Sequence, residues 1–169
     1  MSNGWYKINN YLVVMKLHLL RHANAEALSS SENDIDRKLS LKGQKQCSEL
    51  SLVRSMLPEQ VNTWCSQAER TKQTLYNLGL SADAKIEFSL DLYLCTKSHL
   101  LQRIWLNDVP GDLLIVGHNF GISDLATYFL GDPIDLDTAE YVILEFQTEL
   151  WEETSKGLAT LFHRSRPQV

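Results

Sequence analysis

Leu17-His18-Leu19-Leu20-Arg21-His22-Ala23-Asn24-Ala25-Glu26 is an apolar run that ends on two adjacent basic residues and a stretch of small ones. The run reads as a buried strand over residues 15–20, and the polar segment 24–38 as a loop over the strand's C-terminal end. His22 then stands at a strand end beside Arg21. A neutral imidazole there can attack phosphorus, and a guanidinium can hold two phosphoryl oxygens in its fork. An Arg-His pair also arises by chance on many surfaces, so the rest of the chain has to decide.

Ser40 is placed to cap a helix running to about residue 57, because Gly43, Cys47, Leu50, Val53 and Leu57 recur at helical spacing and Pro58 follows as a stop. Residues 61–65 read as a short strand. Ser66 is then positioned to cap a helix over 68–78 that ends at Gly79, with Arg70 in its first turn. Residues 85–90 alternate weakly as a third strand, and 98–106 carry Leu100, Leu101, Ile104 and Trp105 as a core stripe. Pro110-Gly111 marks a turn before a central strand over 112–116, whose Leu-Leu-Ile-Val run delivers Gly117-His118-Asn119. A helix over 122–130 ends at Gly131, and 140–146 and 158–163 read as a terminal antiparallel pair joined by the polar stretch 147–157.

Strands alternating with helices through the first 130 residues imply an α/β three-layer sandwich, with a largely parallel mixed sheet and helices on both faces. Sites in such sheets lie beyond the strands' C-terminal ends. The Arg21-His22 pair, the turn from Ser66 to Arg70 and the Gly117-His118-Asn119 turn all follow strands, so they are expected to meet at one edge of the sheet.

With 169 residues, 44% hydrophobic and 22% charged, the chain suits a single folded domain over 15–169. Met15 is a plausible start, which makes residues 1–14 an N-terminal extension. A net charge of -5 argues against nucleic acid as a partner. The apolar run 11–15 is interrupted by Lys16 before it reaches signal-peptide length, and no stretch is long enough to span a membrane. Cys47, Cys65 and Cys95 form no C-x-x-C pair and read as reduced thiols of a cytoplasmic protein.

Four pieces of this sequence resemble the motifs of the histidine phosphatase superfamily, and within it the small SixA-type phosphohistidine phosphatases. They are Leu20-Arg21-His22-Ala23; Asp36-Arg37 with Leu39-Ser40, Gly43 and Gln46; Ser66-x-Ala68-x-Arg70-Thr71-x-Gln73-Thr74; and Val116-Gly117-His118-Asn119 with Gly121. The resemblance implies a phosphoglycerate mutase-like fold and a phosphorylated histidine intermediate, with no metal and no cofactor. It makes His22 the nucleophile and Arg21 and Arg70 the phosphoryl clamp. His118 becomes a further hydrogen-bond donor, and Asn119 an additional phosphate-binding residue. Cationic donors converging from several sides suit a transition state whose charge is spread over three equatorial oxygens.

The chain departs from this pattern in two places. Ala23 stands where the commoner motif has glycine, which would strain the backbone if that position required positive φ. No general acid can be placed by spacing, and Asp91 and Glu26 are the candidates. A missing acid favours a P–N substrate, because an imidazole already protonated on its other nitrogen leaves neutral, whereas an alkoxide needs a proton. The expected partner is therefore a phosphorylated protein bearing phosphohistidine. The alternatives are a phosphomonoesterase for a small phosphorylated substrate and a non-catalytic phosphate-binding module. A zinc hydrolase using His18, His22 and His118 is disfavoured, since residues four apart on a strand lie about 13 Å from each other.

Overall fold

Residues 14–169 are described here by a computed structural model. The extension expected over 1–14 lies, up to residue 13, outside the described residues. In chain order the strands are β1 (Met15–Arg21), β2 (Asn62–Ser66), β3 (Ile86–Ser89), β4 (Leu113–Gly117), β5 (Tyr141–Phe146) and β6 (Thr160–Ser165). The helices between them are α1 (Leu41–Ser48), α2 (Ser51–Met56), α3 (Glu69–Tyr76), α4 (Lys97–Trp105) and α5 (Gly121–Leu130). Among the described residues no helix is long and apolar enough to cross a membrane.

The strands form one sheet in the order β3-β2-β4-β1-β5-β6. β3, β2, β4 and β1 run parallel, while β5 and β6 are antiparallel to their neighbours. Alternation along β1 and β4 sends Leu17, Leu19, Leu113 and Ile115 to a core shared with α4 and α5. Leu20, Leu114 and Val116 enter the opposite core, with Cys47, Val53 and Leu75 from α1, α2 and α3 and Leu50 from the turn between α1 and α2. Both faces are thus covered, which is the layered α/β arrangement that the order of elements implied. After β1 the chain leaves toward α1 on one face, and after β4 toward α5 on the other. Neighbouring strands whose connections diverge leave a crevice at their C-terminal ends.

The helix expected over 40–57 is two helices, α1 and α2. Glu49 N–H bonds to the Gln46 carbonyl and Leu50 N–H to that of Cys47, so the chain tightens into a 3₁₀ turn between them. Buried Cys47, Leu50 and Val53 are spaced by three, a period that drifts around an α-helix and that a 3₁₀ turn holds on one side. Ser40 does cap α1, its side chain accepting from Gly43 N–H at 3.1 Å. Ser66 does not cap α3: it is the last residue of β2, and Ala68 occupies the cap position without a side-chain bond. Trp105, expected in the core, is 38% exposed and donates its Nε1–H to the Thr154 carbonyl, while Leu100, Leu101 and Ile104 are buried as expected.

Candidate active site

His22 lies one residue beyond β1 with its backbone stitched on both sides. Its N–H donates to the Gly117 carbonyl and its carbonyl accepts from Ala139 N–H, both at 3.1 Å. Its Nδ1 lies 2.8 Å from the Ala23 carbonyl, which can only accept, so Nδ1 carries the proton and Nε2 keeps its lone pair. Burial pushes the imidazole down to about 4, with the charges of Arg70, Arg21 and Arg37 acting in the same direction against the Ala23 bond. A neutral ring with a free nitrogen is the nucleophilic form.

The segments around His22 are held by residues from the other pieces that carry the resemblance. Ala23 N–H donates to Thr74 Oγ1, Asn24 N–H to Gln46 Oε1, and Leu39 N–H to Gln73 Oε1. A Cβ on Gly43 would sit 2.0 Å from the Asn24 carbonyl oxygen, so only glycine lets α1 approach this closely. Ala23 is fully buried and is not among the residues with positive φ, so its methyl group brings no left-handed strain.

Arg70, at 3% exposure, reaches the same place from the first turn of α3. Its Nη1 donates to the Asp34 carbonyl at 2.7 Å and its Nη2 to Asp34 Oδ2 at 2.9 Å. Nη2 also lies 3.4 Å from His118 Nδ1. A guanidinium only donates, so Nδ1 of His118 accepts, and Nε2 gives its proton to Ser66 Oγ at 2.8 Å. Burial and the neighbouring His22 and Arg70 push His118 down to about 2, so it is neutral. The His22 and His118 rings are 5.1 Å apart between centroids, which brings the turns after β1, β2 and β4 together as expected.

Arg21 points its Nη1 at the Leu136 carbonyl at 2.7 Å, and among the described residues its buried Nε has no partner. Burial lowers its pKa against the opposing pull of Asp135, Asp137 and Glu140. Asn119 does not offer its amide to an anion. Both N–H bonds go elsewhere, to Asp135 Oδ1 at 2.8 Å and the Leu136 carbonyl at 2.9 Å, while its carbonyl oxygen accepts from Ser123. Its role is to hold the 135–136 segment against which Arg21 is set. Gly121 is explained by protein contact rather than by a ligand, since a Cβ there would lie 2.2 Å from the Cys95 carbonyl oxygen.

Neither candidate acid is oriented by a bond to these groups. Asp91 accepts from Ser89 and pairs with His99 Nε2 at 3.1 Å and Arg103 Nη1 at 2.9 Å, a surface network that lowers its pKa. Glu26 is exposed, and it is its backbone carbonyl that accepts from Arg37 Nε. The carboxylate that does reach the site is Asp34, which none of the four motifs marks within its polar loop. Arg37 pairs with it at 2.6 Å, not with Asp36, and the Tyr93 hydroxyl donates to its Oδ2. Asp34 is consequently held well below the usual carboxylate range, first by Tyr93 and then by the two arginines. The Asp-x-x-Arg spacing of Asp34 and Arg37 was the available signal. His18 is elsewhere, its ring bonded to the Tyr141 hydroxyl and Asp112, and among the described residues no three His, Cys, Asp or Glu groups gather to hold a metal ion.

No protein-family model matches the chain. An uncharacterised chloroplastic protein of Arabidopsis thaliana is 29% identical over 153 residues, covering 82% of this chain and 69% of that one. A putative phosphohistidine phosphatase SixA from Nakamurella multipartitia superposes with a TM-score of 0.77 at 24% identity, over 93% of this chain and 98% of that one. The chain has the histidine phosphatase fold. The protein histidine phosphatase SixA complexed with tungstate is similar too, with a TM-score of 0.71, 21% identity, and 90% and 97% of the two chains covered. The six-stranded mixed sheet with helices on both faces is thus the phosphoglycerate mutase-like architecture that the motifs implied.

Proposed function

We propose that this histidine phosphatase fold carries a phosphatase that works through phosphorylated His22, with phosphohistidine on a protein as its substrate. The observation that carries the reading is a neutral His22 whose Nε2 has no hydrogen-bond partner among the described residues, with its ring 5.1 Å from that of His118 and under the charge of Arg70. Nε2 attacks phosphorus in line, the P–N bond of the substrate breaks, and its electron pair returns to the leaving imidazole, which departs neutral when its other nitrogen is protonated. Water then attacks the phosphoryl group on His22, releasing inorganic phosphate and restoring the free imidazole.

Arg21 and Arg70 stabilise the charge on the equatorial oxygens. His118 is neutral, with its Nε2–H given to Ser66 and its Nδ1 accepting from Arg70, so its part is to orient the Arg70 fork beside the phosphoryl group. No step calls for a metal or an organic cofactor. With Asp91 tied into surface ion pairs, the substrate whose leaving group needs no protein acid fits best.

Steady-state assay of a phosphohistidine peptide beside a serine phosphomonoester tests this. Higher kcat/KM on the P–N substrate is expected. A preference for the ester would make the protein a phosphomonoesterase for small phosphorylated molecules, and binding without turnover would make it a phosphate-binding module.

A further inference from the structure

Resting on the phosphatase reading above, we propose that Asp34 is the positioning residue of the site, fixing the Arg70 fork and restraining its grip on phosphate. Asp34 sits on a 3₁₀ turn, Asp34–Asp36, in the loop that crosses the end of β1. It meets Arg70 twice, through its backbone carbonyl at 2.7 Å and through Oδ2 at 2.9 Å. Bonds to two nitrogens of a planar group fix its rotation as well as its position, which a single contact would not.

The carboxylate is itself held in place. Tyr93 donates to the same Oδ2, Arg37 donates to Oδ1 at 2.6 Å, and the Tyr93 ring packs against His118 with centroids 5.5 Å apart. Asp34 therefore ties three segments, the loop after β1, the start of α3 and the turn after β3, to one guanidinium. Of the five N–H groups of Arg70, those spent on Asp34 and His118 leave Nε–H and one Nη1–H for an oxyanion.

Asp34 also brings charge to a buried guanidinium that lies 3.4 Å from His118 and shares the Asp34 carboxylate with Arg37. A phosphoryl group binds an arginine that is already partly neutralised, so affinity is lower than the cation alone would give, and inorganic phosphate leaves more easily. Shape and charge can be separated by substitution. Asp34→Asn keeps an oxygen acceptor for Arg70 but removes the negative charge. Asp34→Ala removes the side-chain acceptor and the charge, leaving the backbone carbonyl as its one contact to Arg70, and lets the fork turn.

The test is calorimetric titration of the full chain with inorganic phosphate at low ionic strength, alongside kcat. Asp34→Asn is expected to bind phosphate about three- to fivefold more tightly than the wild type, the range expected for removing one partly exposed charge. Asp34→Ala is expected to lose at least about tenfold in kcat without weaker phosphate binding, with Asp34→Asn restoring most of the rate. A merely structural role would weaken phosphate binding and kcat together in both variants. Wild-type binding with unchanged or weaker binding by Asp34→Asn overturns the inference and leaves the phosphatase reading standing. A wild type that neither binds phosphate nor turns over a phosphorylated substrate overturns both.

Discussion

His18 and His22 stand four residues apart, on β1 and just past its end, yet their surroundings are opposite. His18 is fully buried within the sheet, and both ring nitrogens have partners, Nδ1 with the Tyr141 hydroxyl at 2.5 Å and Nε2 with Asp112 at 3.4 Å. His22 spends one nitrogen on the next residue's carbonyl, has no hydrogen bond at the other among the described residues, and feels the charge of three arginines. Burial alone therefore does not mark a reactive histidine. A strand interior satisfies its polar groups laterally, while a strand end on a diverging crevice can leave one aimed at a ligand.

The comparison breaks most sharply if His22 can be removed without consequence. His22→Ala is expected to lower turnover by at least about 10³-fold, as losing a nucleophile does. The fold should survive, because among the described residues the only side-chain hydrogen bond lost is to the neighbouring carbonyl of Ala23. Phosphate labelling followed by acid treatment provides the check: an acid-labile phosphoenzyme in the wild type and none in the variant. Labelling that persists in the variant would move the nucleophile elsewhere.

Acid pH separates a buried, cation-flanked imidazole from an ordinary one. The proposed mechanism needs a neutral His22, and its pKa is pushed down to about 4 from 6.5. The rate on an acid-stable aryl phosphate should hold as pH falls through 6.5, then drop about tenfold per unit below about 4. Stability runs with the same sign. The unfolded chain binds a proton below about 6.5 that the folded His22 refuses until about 4, so stability present above 6.5 is lost as pH falls through this window. An acid limb centred near 6.5 would mean that the ring does not sit among these cations in solution.

Arg70→Lys tests whether the cation that distinguishes the two histidines acts by geometry or by charge. Lysine keeps the charge and loses the planar fork, so kcat/KM should fall about tenfold or more. Unchanged kinetics would place that guanidinium outside the site.

The sequence made one half of this comparison legible and hid much of the other. The alternating α/β order and the three strand-end turns that bring His22, Arg70 and His118 together follow from local patterns that the fold keeps. Asp34 was hidden because its bond to Arg70 joins residues 36 apart in the chain, and an aspartate in a polar loop reads as solvated surface. Asn119 was assigned to phosphate because a strand-end amide beside a histidine looks available. Its partners, Asp135 and Leu136, come from the segment ahead of β5 that no local pattern connects to it. The split between α1 and α2 depended on a spacing of three that a helical template of mixed three and four absorbs without notice.

His18→Leu sharpens the contrast from the structural side. It strands the buried Tyr141 hydroxyl, so the expected loss is about 1–3 kcal/mol of unfolding free energy in denaturant titration. kcat/KM should stay within about twofold. A large catalytic loss at unchanged stability would give the interior histidine a role that its bonding leaves no nitrogen to perform.

The smallest effect expected is at Asp91, and it tests whether the site lacks a protein acid. Its carboxylate is spent on Ser89, His99 and Arg103, and those pairs hold it in the charged form, which cannot donate a proton. Asp91→Asn should therefore change phosphohistidine turnover by less than about tenfold, because general acid catalysis is typically worth about 10²- to 10⁴-fold where it operates. Exposed pairs of this kind contribute about 0–1 kcal/mol, so stability should barely move. Across a series of phosphate esters the rate should depend steeply on leaving-group pKa, fast for good leaving groups and slow for alkyl ones, with phosphohistidine among the fast. A flat dependence, together with a loss of 10²-fold or more in Asp91→Asn and an intact circular dichroism spectrum, would make Asp91 the acid and turn the substrate preference toward phosphate esters.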